Sequence, residues 1–558
     1  MAKIDRKTVT QLKKITSSLF TSEMKWKAIG LFVLLATFSI SLNYISARLS
    51  YIGRDFITAL SLRDSNEFYK QLYLYLLGFA IATPVVVFYR YTEERTALFW
   101  RKWFSRRILK RYFDNLAYYK INLFSSVDNP DQRIEEDIRD FTNMSLSFTL
   151  ILFNSLIQLF IFMGILWSIS STLTYAVFAY AILGSIITYF LGRPLIDLNF
   201  IQKKKEADYR YKLVNLRDNA ESIAFLGDEE KEYTRTRQRL KYALTNQLAI
   251  FNCYRRLNFF TTGYNYIIGI LPTVIVAPLF LAEKIEFGVV TQAGFGFTVV
   301  LGALSIIVQH FYGLSNYAAT INRLGSFWDA LSQAEKEIVY NGERINYLQG
   351  ESVKFENINI LTPRGDGKIL SNLTFEIEKG GLLITGPSGS GKSSILRSLA
   401  GLWTAGSGLI TRPDLSKAVF FPQRPYMILG SLRNQLLYST HRSGVSDKKL
   451  KEVLIRVGLV DVLKRIPNFD TVMDWPSILS TGEQQRLAFA RLLLAKPKLA
   501  ILDEATTALD SASEEMMYRI VQETAGLYIS EGYRETLEKF HSTIITLTSE
   551  GSWKFETI

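Results

Sequence analysis

A long stretch without any charged side chain constrains the fold of this chain more than any other feature. Residues 141–192 contain no Asp, Glu, Lys or Arg. One membrane-spanning helix needs about 20 apolar residues, so the stretch is long enough for two. Its polar centre at 168–172 is the natural turn, which predicts spans near 147–167 and 174–192. Part of the chain is therefore predicted to lie inside a membrane.

Four more apolar stretches complete the predicted membrane domain. Residues 257–282 and 287–322 are uncharged and are separated only by the turn 283–286, which predicts a second tight hairpin. Two earlier spans are predicted near 28–47 and 71–89, which brings the total to six. A hydrophobic content of 48% beside 21% charged residues fits a membrane protein with a large water-exposed part.

Positive charge is concentrated in the connections between spans. Lys and Arg are frequent in residues 90–140 and 193–256, whereas the turns at the opposite ends of the hairpins contain few of them. Cytoplasmic loops are enriched in Lys and Arg, so these loops and the N-terminus are predicted to face the cytoplasm. Their helical pattern predicts membrane helices that continue well into the cytosol. Because the topology explains the formal charge of +13, nucleic acid is not an expected partner.

The N-terminal segment and the cysteine content argue against a secreted, disulfide-stabilised protein. Residues 1–27 are basic and amphipathic, and the apolar run behind them does not end in a small-residue cleavage site. No cleaved signal peptide is therefore expected. Cys253 is the sole cysteine, so no disulfide forms within one chain and an oxidising compartment is not implied.

The second half of the chain carries a phosphate-binding motif. After about residue 325 the sequence changes to short strands that alternate with helices, and a buried strand at 382–385 leads through a Gly-rich loop into a predicted helix at 394–400. This is the setting that the motif GxxxxGK[ST] requires, with backbone N–H groups converging on phosphates. Lys392 is predicted to reach the β- and γ-phosphates, and the Ser393 hydroxyl is predicted to bind Mg²⁺. The predicted nucleotide-binding residues of this loop are Gly386, Pro387, Ser388, Gly389, Ser390, Gly391, Lys392, Ser393 and Ser394.

Three further residues complete a predicted ATP-hydrolysing site. The apolar strand 499–503 ends in two carboxylates, Asp503 and Glu504. Asp503 fits the carboxylate on the Mg²⁺ side, and Glu504 fits the catalytic group that polarises the attacking water. Gln423, which follows the strand 418–421, is predicted to join the metal shell and to sense the γ-phosphate. The predicted ligands are ATP and Mg²⁺, with the metal held by Ser393, Gln423 and Asp503.

A short motif before the acidic strand identifies a family. Residues 479–486 read LSTGEQQR and resemble the LSGGQ signature of ABC ATPases, with Thr481 in place of the first glycine. The segment 508–510 resembles the D-loop of the same family. In ABC ATPases the Gly-rich phosphate-binding loop (the P-loop, here 386–393) of one subunit and the signature motif of the other enclose each ATP, so the resemblance implies a dimer. The residues that it adds to the nucleotide site are Ser480, Gly482, Glu483 and Asp510.

Other segments resemble one branch of ABC transporters. Residues 129–138 and 219–225 look like hallmark stretches of one membrane-domain type, and residues 362–366, 430–433 and 474–475 belong to the same pattern. That type is shared by the peroxisomal acyl-CoA half-transporters of subfamily D and by bacterial relatives that handle cobalamin, peptides or other amphipathic solutes. The resemblance spans nearly the whole chain. It implies an all-α six-helix transmembrane domain fused to an α/β P-loop ATPase domain.

Three positions depart from the usual ABC pattern. Residues 356–367 contain no aromatic residue that stacks on adenine, a feature shared with subfamily D relatives. Thr481 adds a side chain near the γ-phosphate. Tyr533 stands where the family has a switch histidine, and it is predicted to be a third catalytic residue. His541 is not expected to replace that histidine, and His310 is expected to be a packed or pore-lining residue within a membrane span.

The predicted organisation has four parts: an amphipathic segment at 1–27, a six-span domain at 28–325, a linker at 326–350 and a nucleotide-binding domain at 351–558. The resemblance implies ATP-driven alternating access by a homodimer or a pair of close homologues, with the lipid bilayer and an amphipathic solute as partners. The N-terminus and the ATPase domain are expected in the cytoplasm, at a bacterial plasma membrane. A second hypothesis, motivated by the substituted positions, is an ATP-binding membrane gate or regulator with little hydrolysis.

Overall fold

A computed structural model of the chain divides into two compact units, Met1–Glu335 and Lys336–Ile558. The residues that the structure describes are 6–124, 127, 129–306, 310–335, 344–363, 365, 367–438, 440, 444–548 and 551–558. Parts of several predicted segments lie outside the described residues, namely 1–5 of the N-terminal segment, 307–309 of the sixth span, 336–343 of the linker, and Asp366.

The first unit is helical throughout its described part. Its α-helices are α1 (Arg6–Phe20), α2 (Lys25–Ser61), α3 (Ser65–Phe113), α4 (Ala117–Phe124), α5 (Pro130–Gln132), α6 (Ile138–Ile169), α7 (Ser171–Gly192), α8 (Pro194–Asp218), α9 (Ala220–Leu226), α10 (Glu229–Leu281), α11 (Phe287–Leu304) and α12 (Phe311–Ala334), with a 3₁₀ turn at Asp114–Leu116 and a π-helical turn at Arg133–Asp137. Six helical segments in the described part are long and apolar enough to cross a membrane by length and composition. The predicted six-helix membrane domain is confirmed.

Several helices extend well beyond their apolar parts. Helices α3 and α10 pass without a break between apolar and basic sequence, and both contain prolines, Pro84 in α3 and Pro272 and Pro278 in α10. Prolines are tolerated inside membrane helices because neighbouring groups satisfy the freed backbone. The prediction that helices continue past the membrane-spanning stretches is therefore confirmed for these two.

The last apolar stretch is not one helix, as the prediction of a span at 287–322 required. Helix α11 ends at Leu304, and His310 is the residue that precedes α12. His310 therefore lies between two helices, and its expected position within a membrane span stays a prediction. The uncharged sequence carries no local signal for the end of α11. His310 is a packed residue, with its ring edge-on to Phe148.

The second unit is an α/β domain with two main sheets. Its strands are β1 (Asn346–Gln349), β2 (Val353–Leu361), β3 (Lys368–Ile377), β4 (Gly380–Thr385), β5 (Gly406–Arg412), β6 (Ala418–Phe421), β7 (Gly430–Ser431), β8 (Val472–Met473), β9 (Leu499–Asp503), β10 (Leu527–Glu531), β11 (Thr543–Leu547) and β12 (Trp553–Thr557). Its α-helices are α13 (Lys392–Leu399), α14 (Leu432–Leu437), α15 (Asp447–Arg456), α16 (Val460–Arg465), α17 (Trp475–Ile478), α18 (Thr481–Ala495) and α19 (Ser511–Thr524). The predicted α/β ATPase fold is confirmed.

The order of strands in the larger sheet brings the predicted motifs together. That order is β12-β11-β4-β10-β9-β6, and every neighbouring pair is parallel except β11 and β12. Strands β4 and β9 are buried almost throughout, as expected for a sheet covered on both faces. Parallel strands end at one edge, so the loop after β4 and the carboxylates at the end of β9 lie near each other.

The predicted linker 326–350 contains ordered elements at both ends. Helix α12 continues to Ala334, and β1 pairs with β5 in the four-stranded sheet β1-β5-β2-β3. A four-residue strand is stabilised by its pairing with a distant segment, which a local pattern does not reveal.

Candidate functional site

The Gly-rich loop after β4 folds back on itself before α13. Gly386, Gly389 and Gly391 have φ angles of 140°, 82° and 99°. These values lie in the region that glycine adopts without steric cost. At Gly386 an added Cβ would lie 2.6 Å from the carbonyl oxygen of Leu547, so a side chain is excluded by contact as well as by conformation. The loop therefore requires glycine at this position.

The loop encloses the Lys392 side chain. Its Nζ donates to the carbonyl oxygens of Gly386 at 2.9 Å and Pro387 at 3.1 Å, and the residue is only 4% exposed. The buried Ser390 hydroxyl has no hydrogen-bond partner among the described residues. A buried polar atom without a partner is costly, so the loop is suited to a polar ligand. Phosphate oxygens fit both groups.

The three predicted catalytic side chains lie together at the end of β9. Glu504 has a φ of 48°, a left-handed conformation that turns its side chain out of the strand direction. Gln423 Nε2 donates to Glu504 Oε2 at 2.6 Å, and the Tyr533 hydroxyl donates to Glu504 Oε1. Both oxygens of the proposed water-polarising carboxylate therefore have a partner.

Tyr533 also faces the P-loop. Its ring lies 5.2 Å from Lys392 Nζ, a distance typical of a cation–π contact. The next residue, Arg534, donates to the carbonyl oxygens of Leu509 at 3.2 Å and Thr507 at 3.4 Å. The segment that carries the switch position is thus tied to the D-loop.

His541 does not take the place of the missing switch histidine. Its Nε2 lies 2.9 Å from Ser530 Oγ and its Nδ1 lies 2.7 Å from the carbonyl oxygen of Leu537, and the residue is buried. Burial lowers the pKa of His541 to about 4. The ring is therefore neutral at pH 7, and its hydrogen bonds do not reach the Glu504 set.

Sequence reasoning assigned no role to Glu531, the last residue of β10. It is buried next to Asp503, which is level with it on β9. Burial, together with the charge of Asp503, raises the pKa of Glu531 to about 7. The available sequence signal was a carboxylate at the end of a largely apolar strand. The same pattern places Asp503 at the end of β9.

The predicted metal ligands fit Mg²⁺ by their chemistry. Ser393, Gln423 and Asp503 all offer oxygen atoms, which Mg²⁺ prefers. Among the described residues, no group of three or more His, Cys, Asp or Glu side chains is arranged as a metal site. Mg²⁺ in ATPases takes most of its remaining ligands from phosphates and water, and it neutralises the charge of the phosphates.

The signature residues form a helix N-terminus that is separate from the P-loop of the same chain. The Ser480 side chain accepts from the backbone N–H of Glu483, whose carboxylate accepts from the Ser480 N–H at 2.9 Å. At Gly482 an added Cβ would lie 3.1 Å from the Ala508 carbonyl oxygen, so glycine gives this oxygen room. Asp510 caps α19 through Ser513, and these hydrogen bonds lower the pKa of Asp510. In the described part of the chain, no hydrogen bond or ion pair joins Ser480, Gly482, Glu483 or Asp510 to residues 386–394.

Comparison with protein families assigns both halves of the chain. Residues 15–281 match the family described as ABC transporter transmembrane region 2, and residues 370–507 match the family described as ABC transporter. The two matches fall within the helical unit and the α/β unit respectively.

Individual relatives extend the similarity over the whole chain. The chain is 38% identical to ABC transporter D family member 2, chloroplastic, of Arabidopsis thaliana, over 98% of this chain and 88% of that protein. It is 29% identical to the lysosomal cobalamin transporter ABCD4 of Homo sapiens, over 100% of this chain and 97% of that protein. A solved structure of a bacterial Atm1-family ABC exporter with ATP bound aligns with a TM-score of 0.73 at 18% identity, covering 95% of each chain, which shows a shared fold.

Proposed function

The chain belongs to the ABC transporter family as an ATP-hydrolysing half-transporter of exporter-type fold, and from this premise we propose that two copies move an amphipathic organic solute across a membrane by alternating access. The proposed solute belongs to the cobalamin, acyl-CoA or peptide class. ATP is the proposed nucleotide and Mg²⁺ its metal ion.

The separation of the P-loop from the signature motif is the observation that carries this proposal. Each chain has one loop around Lys392 and one exposed helix N-terminus at Ser480, and the two are not joined within the described part of the chain. A second copy, or a close homologue, supplies the missing half of each ATP site. ATP then favours the closed dimer by its contacts to both halves, and this differential affinity drives the change of state.

A cavity in the helical unit supports an amphipathic solute. Its volume is about 360 Å³, within the range of small-molecule sites. Arg54 Nε pairs with Asp55 at 2.8 Å, while its Nη groups have no hydrogen-bond partner among the described residues. Guanidinium donors without a hydrogen-bond partner suit an anionic group of a solute. The cavity combines polar and aromatic walls, formed by Ser46, Ser50, Arg54, Thr291 and Gln292 and by Tyr75, Phe79 and Phe295.

The proposed orientation follows from the distribution of Lys and Arg. The basic segments 90–140 and 193–256 support a cytoplasmic position for the N-terminus and the ATPase domain. The proposed membrane is a bacterial plasma membrane. Cell fractionation tests this location directly. Two relatives are named for the chloroplast and the lysosome, so recovery of the protein in organelle membranes would contradict the proposal.

Reconstitution in liposomes tests the proposed function. We expect ATP turnover together with ATP-dependent movement of a fluorescent amphiphile, and both should disappear without ATP.

A cross-link tests the dimer: in a Cys253→Ser background, Ser388→Cys and Thr481→Cys should form a disulfide between two chains when ATP is present. A disulfide within one chain would contradict the shared ATP site.

A second function is favoured by the two hydrogen bonds to Glu504. Tyr533 and Gln423 occupy both oxygens of Glu504, an arrangement that suits a membrane gate which binds ATP and hydrolyses it slowly. The same liposome assay separates the two functions. Solute movement that requires repeated hydrolysis supports the transporter, whereas ATP-induced permeability with little turnover supports the gate.

A further inference from the structure

Glu531 lies between the two strands that carry the nucleotide site. Strand β10 is flanked by β4 and β9, and its last residue is level with Asp503. Paired residues on neighbouring parallel strands point to the same face, so the two carboxylates are side by side. The Glu531 side chain is only 4% exposed.

The Glu531 carboxylate contacts both P-loop side chains that have proposed ligand roles. Ser393 Oγ donates to Oε2 at 2.9 Å, and Lys392 Nζ lies 3.8 Å from Oε1. A hydroxyl that donates to Glu531 keeps its lone pairs for a metal ion but does not donate to a phosphate, and a lysine paired with Glu531 is partly neutralised. These contacts therefore compete with the ligands of the site.

The charges around Glu531 give its contacts an effect on ligand binding. Like charges opposite each other on neighbouring strands are destabilising, and a buried charge needs a partner. Lys392 is the cation paired with Glu531 in the described part of the chain, and ATP phosphates compete for the same ammonium group. When ATP binds without a metal ion, the buried Glu531 carboxylate lies near the phosphates without a cation of its own. A divalent cation at Ser393 attracts both the carboxylate and the phosphates and so removes their repulsion.

We propose that Glu531 is a positioning residue that makes ATP binding depend on a divalent cation. It acts through Ser393 and Lys392: without the cation it holds both side chains away from the phosphates, and with the cation its charge stabilises the bound ion. The inference rests on the proposed nucleotide site and adds a residue that lies outside the Gly-rich loop and the acidic strand.

The test measures binding of a fluorescent ATP analogue to the full-length protein in detergent, in EDTA and in excess Mg²⁺, at mildly alkaline pH. Glu531→Gln removes the charge and keeps the shape of the side chain, and Glu531→Asp keeps the charge. Glu535→Gln is the matched control, because Glu535 is exposed. A nearby unit charge is worth more than tenfold in affinity at intermediate dielectric, so we expect metal-free binding to tighten by about tenfold or more in Glu531→Gln. The ratio of the affinity in excess Mg²⁺ to the affinity in EDTA should stay near the wild-type value in Glu531→Asp and in the control.

A second readout follows the metal ion itself. Mn²⁺ replaces Mg²⁺, and electron paramagnetic resonance measures Mn²⁺ binding in the presence of ATP. Mn²⁺ binding should weaken in Glu531→Gln but not in Glu531→Asp or in the control. Equal weakening of ATP binding in both conditions, or an unchanged ratio, would overturn the inference. If Glu531→Gln does not fold, Glu531→Val serves in the same comparison, since valine suits a buried strand. A wild-type protein that binds ATP in neither condition refutes the proposed nucleotide site itself.

Discussion

The contact between Tyr533 and Glu504 predicts that hydrolysis is slow and that it becomes faster when the contact is changed. The hydroxyl donates to one oxygen of Glu504 while Gln423 donates to the other. Each donor stabilises the charged carboxylate and lowers its basicity, so water is polarised more strongly when one of the donors is released. Tyrosine has a pKa near 10, so it remains a donor near neutral pH, whereas imidazole exchanges protons there.

The magnitude follows from the exposure of the tyrosine. A hydrogen bond to a charged group contributes about 1.5–3 kcal/mol when it is shielded from water. Tyr533 is 58% exposed, so water replaces much of that bond and about 1 kcal/mol is the expected cost of releasing it. This corresponds to a rate increase of about fivefold for Tyr533→Phe. Tyr533→His restores the imidazole and should increase the rate further, with little change in ATP affinity.

The assay is steady-state ATP hydrolysis in lipid nanodiscs, with ATP affinity measured separately in the Glu504→Gln background. Tyr426→Phe is the matched control, since the Tyr426 hydroxyl is exposed and has no hydrogen-bond partner among the described residues. If the unmodified protein hydrolyses ATP fast and the histidine variant is slower, the reasoning about an impaired switch is refuted.

Three other changes test separate parts of the site and the fold. Glu504→Gln should retain ATP binding, trap the closed dimer and lower hydrolysis by about 10²–10⁴-fold, and a variant that keeps most of its turnover would show that the role of Glu504 is wrong. Arg54→Gln should reduce ATP-dependent transport of an anionic amphiphile about tenfold or more but not that of a neutral one, whereas Arg48→Gln, on the same helix and exposed, should change neither. Because the native pKa of His541 is depressed to about 4, its contribution to stability is present above about pH 6.5 and is lost as the pH falls towards 4, by up to about 3 kcal/mol. His541→Asn should reduce this loss in thermal unfolding scans, and an unchanged pH dependence would contradict the assignment.

The sequence predicted those features whose signals are local. The uncharged stretch at 141–192 predicted two spans because hydrophobic length alone decides whether a helix can cross a membrane. The Gly-rich loop at 386–391 was predicted to connect a strand to a helix, because strand, loop and helix are adjacent in the chain. Gln423 and Glu504 were predicted from the strands that they follow and Tyr533 through family resemblance, and the structure brings the three side chains together.

Features that depend on distant pairing were not predicted. The contact of Glu531 with Ser393 arises because β10 inserts between β4 and β9, and the order of strands in a sheet is not written in any one segment. The end of α11 at Leu304 was missed because the uncharged sequence 287–322 contains no local signal for a helix boundary at this point.

The replacement of Lys392 by alanine tests the central claim most directly. Lys392 is a buried cation of the P-loop, and its loss would remove the proposed charged hydrogen bonds to two phosphates, each worth about 1.5–3 kcal/mol. ATP hydrolysis and ATP-dependent solute movement in liposomes should therefore fall by at least about 100-fold. Lys379→Ala, which removes an exposed lysine of the same domain, should leave both unchanged. Nucleotide-stimulated activity in Lys392→Ala equal to that of the control would contradict the claim that ATP bound at this loop drives the transporter.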